Sequence, residues 1–457
     1  MIDAHTFCLD GKKYLFDYRN LIILDINNDI YKKINANVDD RVLYCSELKE
    51  YIQCGLFCDN QKNKFIELDS DVAYLSIPTV HSCNMKCRYC FADAGMTYKG
   101  KEKVMTPEKL DEILIFFFST FMDHSKYRID FVSGGEPLLN LEVIKQTNDK
   151  VKEMSNKETL IWMATNGLLL NGENVDYLNN NNIQFGVSID GTKEFHDANR
   201  IDVNGNGTFD RIMENIQMIK DNKTYNRNTK DIWVLTTITA ETNSLVDILK
   251  EYRKRGIRRV QMKIVRAGKE NISGLNEQTV NHFIQLYREL ITFLKNEIFL
   301  NKLDSIEMIM NRNDMFGKVL ITLLLREPCI TRCLAGRDKI SISADGSIYP
   351  CEEFIGVETF CIGDIYKGLR NDNPFEKLNV YSQENCERCW AKYVCGGGCY
   401  YRNFVESGNI GTGSTAYCQF YKKLVEMTID LLSFIQENDE TFKKIEKIAT
   451  GKRSMEW

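Results

Sequence analysis

Cys83, Cys87 and Cys90 stand within eight residues of one another, in the run from His81 to Phe91, and the next cysteine downstream is Cys329. The spacing C-x3-C-x2-C curls one short loop around three thiols. A 4Fe–4S cube in an ordinary site takes a thiolate on each of its four irons. Three thiolates leave one iron open, and an open metal position is where a small chelating molecule binds. Structural zinc is a second reading of such a loop. It would need a fourth nitrogen or sulfur ligand, and only His81 stands nearby. Chance clustering in a cysteine-rich chain is a third.

The chain has 457 residues, enough for two or three domains with a well-buried core. A hydrophobic content of 43% and a charged content of 27% are ordinary for a globular protein. The net charge of −5 gives no basic field for nucleic acid or acidic lipid. No basic segment followed by an apolar one opens the sequence, and the apolar runs at 113–118 and 319–325 are too short to span a bilayer. A cytoplasmic protein without membrane contact is the expectation. Sixteen cysteines in that compartment argue for metal or redox chemistry rather than disulfides.

Before the three-cysteine loop, residues 13–17 and 21–25 read as two strands joined by a turn, followed by helical patterns at 28–34 and 46–54 and a strand at 65–68. This is a small hairpin with helices, close to a winged-helix outline. From Val72, apolar runs at 73–77, 127–132, 159–164, 185–189, 233–238 and 260–265 alternate with helical stretches at 107–122, 140–154, 172–179, 209–220 and 244–255. Six alternating units predict parallel strands with helices outside. The loops at strand C-termini then carry the site, and the cysteine loop follows the first strand as this requires. Residues 277–326 read as helical, and 419–437 as a closing amphipathic helix.

Gly134, Gly135 and Glu136 follow the second strand of this series. Paired glycines admit close backbone approach to a ligand, and Glu136 offers an acceptor for an amine. Together with C-x3-C-x2-C, this run resembles the radical S-adenosylmethionine (SAM) superfamily. The resemblance implies a partial (β/α)6 barrel, an open iron that chelates SAM, and a Gly-Gly-Glu motif at the SAM amino group. It places Tyr89 and Phe91 beside the cofactor, and Asn166, Ser188 and Asp190 near the SAM carboxylate and ribose. An arginine near that carboxylate is also implied, with Arg200 and Arg211 as the candidates.

A second cysteine field starts at Cys333, followed by twelve residues, Gly346, four residues and Cys351. Cys386, Cys389, Cys395 and Cys399 follow with gaps of two, five and three residues, and then Cys418. Zinc in a ribbon-like module would use such a pattern too. The spacing resembles the seven-cysteine SPASM module, which implies two auxiliary 4Fe–4S clusters and three clusters in all. By that resemblance one auxiliary cluster takes Cys329, Cys333, Cys351 and Cys399. The other takes Cys386, Cys389, Cys395 and Cys418. Cys8, Cys45, Cys54, Cys58 and Cys361 are left as reduced thiols.

The resemblance also implies function. SPASM relatives cleave SAM to a 5′-deoxyadenosyl radical and act mostly on peptides. The leading expectation is a maturase that forms a cysteine thioether on a ribosomally made precursor, of the sactipeptide or ranthipeptide type. The N-terminal element would hold the precursor's leader, and a flavodoxin or ferredoxin would supply electrons. Glu352, directly after Cys351, is the candidate general base. Carbon–carbon crosslinking, epimerisation and formylglycine formation on sulfatases are the alternatives, and an Fe–S electron carrier is the non-enzymatic one. The expected divisions are 1–71 for leader recognition, 72–276 for the barrel, 277–326 for a helical bridge, 327–425 for the SPASM domain and 426–457 for a C-terminal helix or tail.

Overall fold

The computed structural model describes residues 4–36, 48–54, 56–57, 71–93, 97–100, 103–132, 134–224, 231–266 and 273–453. The strand expected at 65–68, the residues Cys45 and Cys58, and Ser133 ahead of the glycine pair lie outside them. The chain opens with an antiparallel sheet of β1 (Ala4–Leu9), β2 (Lys12–Asp17) and β3 (Ile22–Asp25), in that order. The sequence pattern missed β1. Asp10 and Gly11 join it to β2 with left-handed φ of 47° and 85°, the geometry of a two-residue hairpin turn. The second turn is held by Asp17, whose buried carboxylate accepts from the Arg19 and Asn20 amides.

The two faces of this sheet serve different cores. Leu15 packs with Ile34, Leu48 and Phe57 under the helices Asn28–Ala36 and Lys49–Gln53. Tyr14 and Phe16, one residue to either side, point the other way into the main core, as strand alternation demands. Polar contacts tie that face to the helix Thr415–Gln436. Tyr14 donates to Asp430 at 2.7 Å, His5 meets Glu426 at 3.0 Å, and Ser433 donates to Asp25. His5 also stacks on Trp390 with ring centroids 3.8 Å apart. The N-terminal element is therefore part of the main packing, not an appendage to the barrel.

β4 (Val72–Ser76), β5 (Lys126–Phe131), β6 (Glu158–Thr165), β7 (Gln184–Ser188), β8 (Trp233–Ile238) and β9 (Arg259–Ile264) pair in parallel in sequence order. All six runs expected from the sequence are present. Helices cover their outer face, where Leu75, Ile129, Met163, Val187, Val234 and Met262 are buried. Several of these helices begin at side-chain caps. The Thr106 hydroxyl accepts from the Lys109 amide ahead of Pro107, and Ser244 accepts from the Asp247 amide.

The sheet does not stop at β4. β10 (Lys339–Ile342) runs parallel to it, and β11 (Ser347–Tyr349), β12 (Gly363–Asp364) and β13 (Gly368–Leu369) continue antiparallel. The result is one ten-stranded sheet in which the second cysteine field grows out of the barrel edge. Helices Val280–Phe299, Met315–Leu324 and Thr415–Gln436 pack together beside it. A last helix, Asp439–Arg453, lies in the stretch expected as a C-terminal helix or tail. Among the described residues no helix is long and apolar enough to cross a membrane.

Tyr14→Phe removes the buried hydroxyl bonded to Asp430. It should lower stability by about 1–2 kcal/mol, measured as a shifted denaturant midpoint with an unchanged slope. An unchanged midpoint would mean that this contact does not hold the sheet to the C-terminal helix.

Candidate active site

The parallel strands turn alternate residues inward, around a cavity of about 440 Å³. Leu160, Trp162 and Ala164 of β6, Trp233, Leu235 and Thr237 of β8, and Gln261 and Lys263 of β9 show the period of two. Cys83, Cys87 and Cys90 line the cavity from the loop after β4, together with Tyr89 and Phe91. Glu352 and Glu353, just past Cys351, line it from the auxiliary side.

The cysteine loop is seated by backbone bonds on two sides. The Lys86 and Arg88 amides donate to Ile201 and Asn199, each at 2.9 Å, and the Glu136 amide donates to Ser82 at 3.0 Å. This contact explains Gly135. A Cβ there would fall 1.9 Å from the Ser82 carbonyl oxygen, which cannot move without unseating the loop. Gly134, with φ +80°, lies against the His81 ring, where a Cβ would fall 2.6 Å from Nδ1. The sequence suggested that the glycines make room for a ligand. What they make room for in the described contacts is the cysteine loop itself, although Gly135 also lines the cavity.

Glu136 is buried, and burial raises its pKa. One carboxylate oxygen accepts from Thr165 Oγ1 at 2.6 Å and from the Leu138 amide at 3.1 Å. The other accepts from the Asn166 amide at 2.7 Å. Asn166 turns its own Nδ2 to Cys83 Sγ at 3.6 Å. Arg200 does the same for Cys87, with Nη1 3.7 Å from the sulfur. Asp190 holds Arg200 in place, accepting from Nε at 3.0 Å, and it also accepts from the Tyr89 hydroxyl and the Thr237 amide. Ser188 lines the cavity; Asp190 sits fully buried behind it. Of the two candidate arginines, Arg200 lines the cavity, whereas Arg211 is exposed on the helix Phe209–Asp221 and is not part of the wall.

The thiols occur in sets. Burial pushes Cys83 up to about 11 and also raises Cys87, against the pull of Arg200. Cys333, Cys351 and Cys399 lie close enough to act on one another electrostatically. Cys329 is buried beside Lys318, a neighbour it shares with Cys333 and Cys395. Cys386, Cys389, Cys395 and Cys418 form another mutually interacting set, in which burial lifts Cys386 and Cys395 to about 12. Cys83, Cys386 and Cys395, so placed, ionise only against strong positive charge, which bound iron would supply. Among the described residues no three of Cys, His, Asp and Glu converge on a single-ion position. A four-iron cube instead takes its thiolates at separate corners, one to each iron. Cys8 and Cys54 are exposed and Cys361 is half-buried, outside both sets.

Glu352 reaches the cavity but is not free. Its carboxylate meets Lys339 Nζ at 2.9 Å. Burial pushes its pKa up, and the Lys339 ammonium more than offsets this, holding it at about 2. A carboxylate held below its ordinary range is a weaker acceptor for a thiol proton than a free one. The general base expected from the sequence is thus an ion-pair partner in this arrangement. The sequence reading also missed Arg128, Asp130, Lys263 and Arg266. Charged residues at inward positions of otherwise apolar parallel strands were the available signal.

Arg200→Met would leave Asp190 charged and buried with two hydrogen bonds but no cation. The loss should be about 3 kcal/mol or more, read by denaturation of the metal-free protein. A loss under about 1 kcal/mol, the range of an exposed pair, would mean that the Asp190–Arg200 contact is solvated.

Residues 77–248 match the Radical SAM superfamily. The cysteine-type anaerobic sulfatase-maturating enzyme of Clostridium novyi (strain NT) is 26% identical over 376 residues, covering 78% of this chain and 95% of that enzyme. The solved structure of native anSMEcpe with bound AdoMet superposes with a TM-score of 0.65 at 22% identity, covering 79% of this chain and 98% of that one. Streptococcus suis SuiB bound to its precursor peptide SuiA gives a TM-score of 0.52 at 14% identity, covering 91% of this chain and 98% of that one. Residues 77–248 thus form a domain of the Radical SAM superfamily, and the chain shares the fold of these solved structures.

Proposed function

We propose that the chain modifies a precursor peptide, joining a cysteine sulfur to a carbon of another residue. The observation that carries this reading is the shared lumen. The three-cysteine loop and the segment after Cys351 open on one cavity of about 440 Å³. An electron carrier needs no such chamber.

Cys83, Cys87 and Cys90 would hold the cluster with the open iron. The donor set fits, because the thiols share one loop and two of the sulfurs already receive hydrogen bonds, from Asn166 and Arg200. When bound, this cluster with SAM supplies a carbon radical that takes hydrogen from an unactivated carbon. The protein's own residues position and shield. Glu136 has roughly four acceptor positions and gives three to the protein, leaving one for an amine. Asp190 fixes Tyr89 and Arg200, so the Arg200 donor to Cys87 keeps its direction. Trp162, Trp233 and Leu235 wall the lumen against water. Two auxiliary clusters would take Cys329, Cys333, Cys351 and Cys399, and Cys386, Cys389, Cys395 and Cys418.

The N-terminal sheet supports a peptide substrate. Among the described residues β3 pairs only with β2 and leaves its other edge open, where a leader segment could add as a strand. SuiB, which binds a precursor peptide, spans more of this chain than anSMEcpe does. A soluble flavodoxin or ferredoxin would supply electrons. Formylglycine formation on a sulfatase is the second reading, favoured by the similarity to the Clostridium novyi enzyme.

The test offers reconstituted protein any short cysteine-containing peptide encoded beside its gene and, separately, a sulfatase peptide. A precursor product that has lost two hydrogens and resists thiol alkylation supports the thioether reading. An aldehyde on the sulfatase peptide alone would replace it. Iron should be about twelve per chain if each of three clusters holds four. Replacing Cys83, Cys87 and Cys90 together by Ala should remove about a third of it and abolish SAM cleavage. A triple variant that still forms 5′-deoxyadenosine would overturn the placement of the catalytic cluster.

A further inference from the structure

The cavity wall carries five cations among the described residues, and four of them face a carboxylate. Arg128 Nε meets Asp130 at 2.8 Å, Arg200 Nε meets Asp190 at 3.0 Å, Lys339 meets Glu352 at 2.9 Å, and Arg266 pairs with Glu353. Lys263 is the fifth. It projects inward from β9, and among the described residues it makes no hydrogen bond or ion pair. We infer that Lys263 anchors a carboxylate carried by the substrate, next to the carbon that reacts. This rests on the peptide-maturase reading and adds a chemical class to its substrate.

The position excludes the cofactor's amino-acid end as the partner. Arg266, Glu352, Lys339 and Cys399, at the auxiliary end of the lumen, act electrostatically on Lys263, which also interacts with the buried Asp314, whose carboxylate accepts from the Met262 and Gly317 amides. Glu136 and Arg200, which would face the amino and carboxyl groups of SAM, are bonded instead at the ends of β6 and β7, to Thr165, Asn166 and Asp190. Cys399 shares the neighbourhood, but no hydrogen bond joins it to Lys263. An unpaired ammonium in a lumen walled by Trp162, Leu235 and Ile264 is costly. Burial, with Arg266 beside it, accordingly pushes its pKa down to about 7. Lys263 carries one positive charge without an ion-pair partner among the described residues, which fits a singly charged carboxylate better than a dianionic phosphate. An Asp or Glu side chain and a peptide C-terminus share this chemistry.

Reconstituted holoenzyme with SAM is treated with an amine-acetylating reagent, and Lys263 labelling is followed by mass spectrometry of its peptide. The probes are N-acetylglutamate N-methylamide, its glutamine isostere, N-acetylalanine with a free C-terminus, and N-acetylcysteine N-methylamide. Saturating glutamate probe should slow labelling about tenfold or more, as one charge-assisted contact would, while the glutamine probe should not. Protection by N-acetylalanine in place of the glutamate probe would identify the chain end as the source. Equal effects of glutamate and glutamine probes, protection by the cysteine probe alone, or full protection by SAM alone would each overturn the inference. Lys263→Met should weaken binding of the glutamate probe by about tenfold or more, with Lys263→Arg weaker in effect. If the methionine variant does not fold, the labelling of native protein decides. Labelling requires no turnover. Glutamate protection with no product from the neighbouring peptide would therefore count against the maturase reading alone.

Discussion

The parallel pairing of β10 with β4 is the contact on which the arrangement of the site depends. Lys339, Ile340 and Ser341 lie in register with Tyr74, Leu75 and Ser76, and Ser341 Oγ adds a bond to the Ser76 carbonyl. The three-cysteine loop leaves the C-terminal end of β4, and β10 leads to the turn and hairpin that carry Cys351. One seam thus fixes both cysteine regions relative to one lumen. Without it, the second field would be a separate metal module with no route to the chemistry of the first.

Charge inside the lumen follows from the same seam. β10 and β11 pair as a hairpin, with Ser341 opposite Tyr349. Extending that register puts Lys339 opposite Cys351, within reach of the next residue, Glu352, whose carboxylate it holds below its ordinary range. The other wall charges are paired as well, as a low-dielectric chamber requires. The departures are informative: Glu136, bound only by uncharged donors, and Lys263, bound by nothing among the described residues. They lie toward opposite ends of the cavity, one beside the cysteine loop and the other beside the auxiliary segment. This is the polarity expected of a chamber that receives an amine at one end and an anion at the other.

The barrel was legible because each of its strands is an apolar run bounded by turns, the signature of strands buried on both faces. Its helices were legible from their period, and that period also separates the two arginines. Arg211 falls off the buried face marked by Phe209, Ile212, Ile216 and Ile219, whereas Arg200 ends a helix against the cysteine loop. β10 was not legible, because four residues within a cysteine-spaced segment give too short a pattern. β1 went unread although it carries inward-facing Phe7, since its alternation is interrupted by polar residues. The glycine pair was recognised as a motif, but its reason was not. Only the structure places the Ser82 carbonyl where a Cβ would be.

The central claim is that a hydrogen atom passes from a bound peptide to a radical formed in this lumen. Its most direct test is isotope transfer. A short peptide encoded beside the gene is made with deuterium on the carbons of one residue type at a time and incubated with reconstituted protein, reductant and SAM. The account predicts that one labelled peptide delivers deuterium into 5′-deoxyadenosine, in step with product formation. Product formed from every labelled peptide with no deuterium in 5′-deoxyadenosine would contradict it.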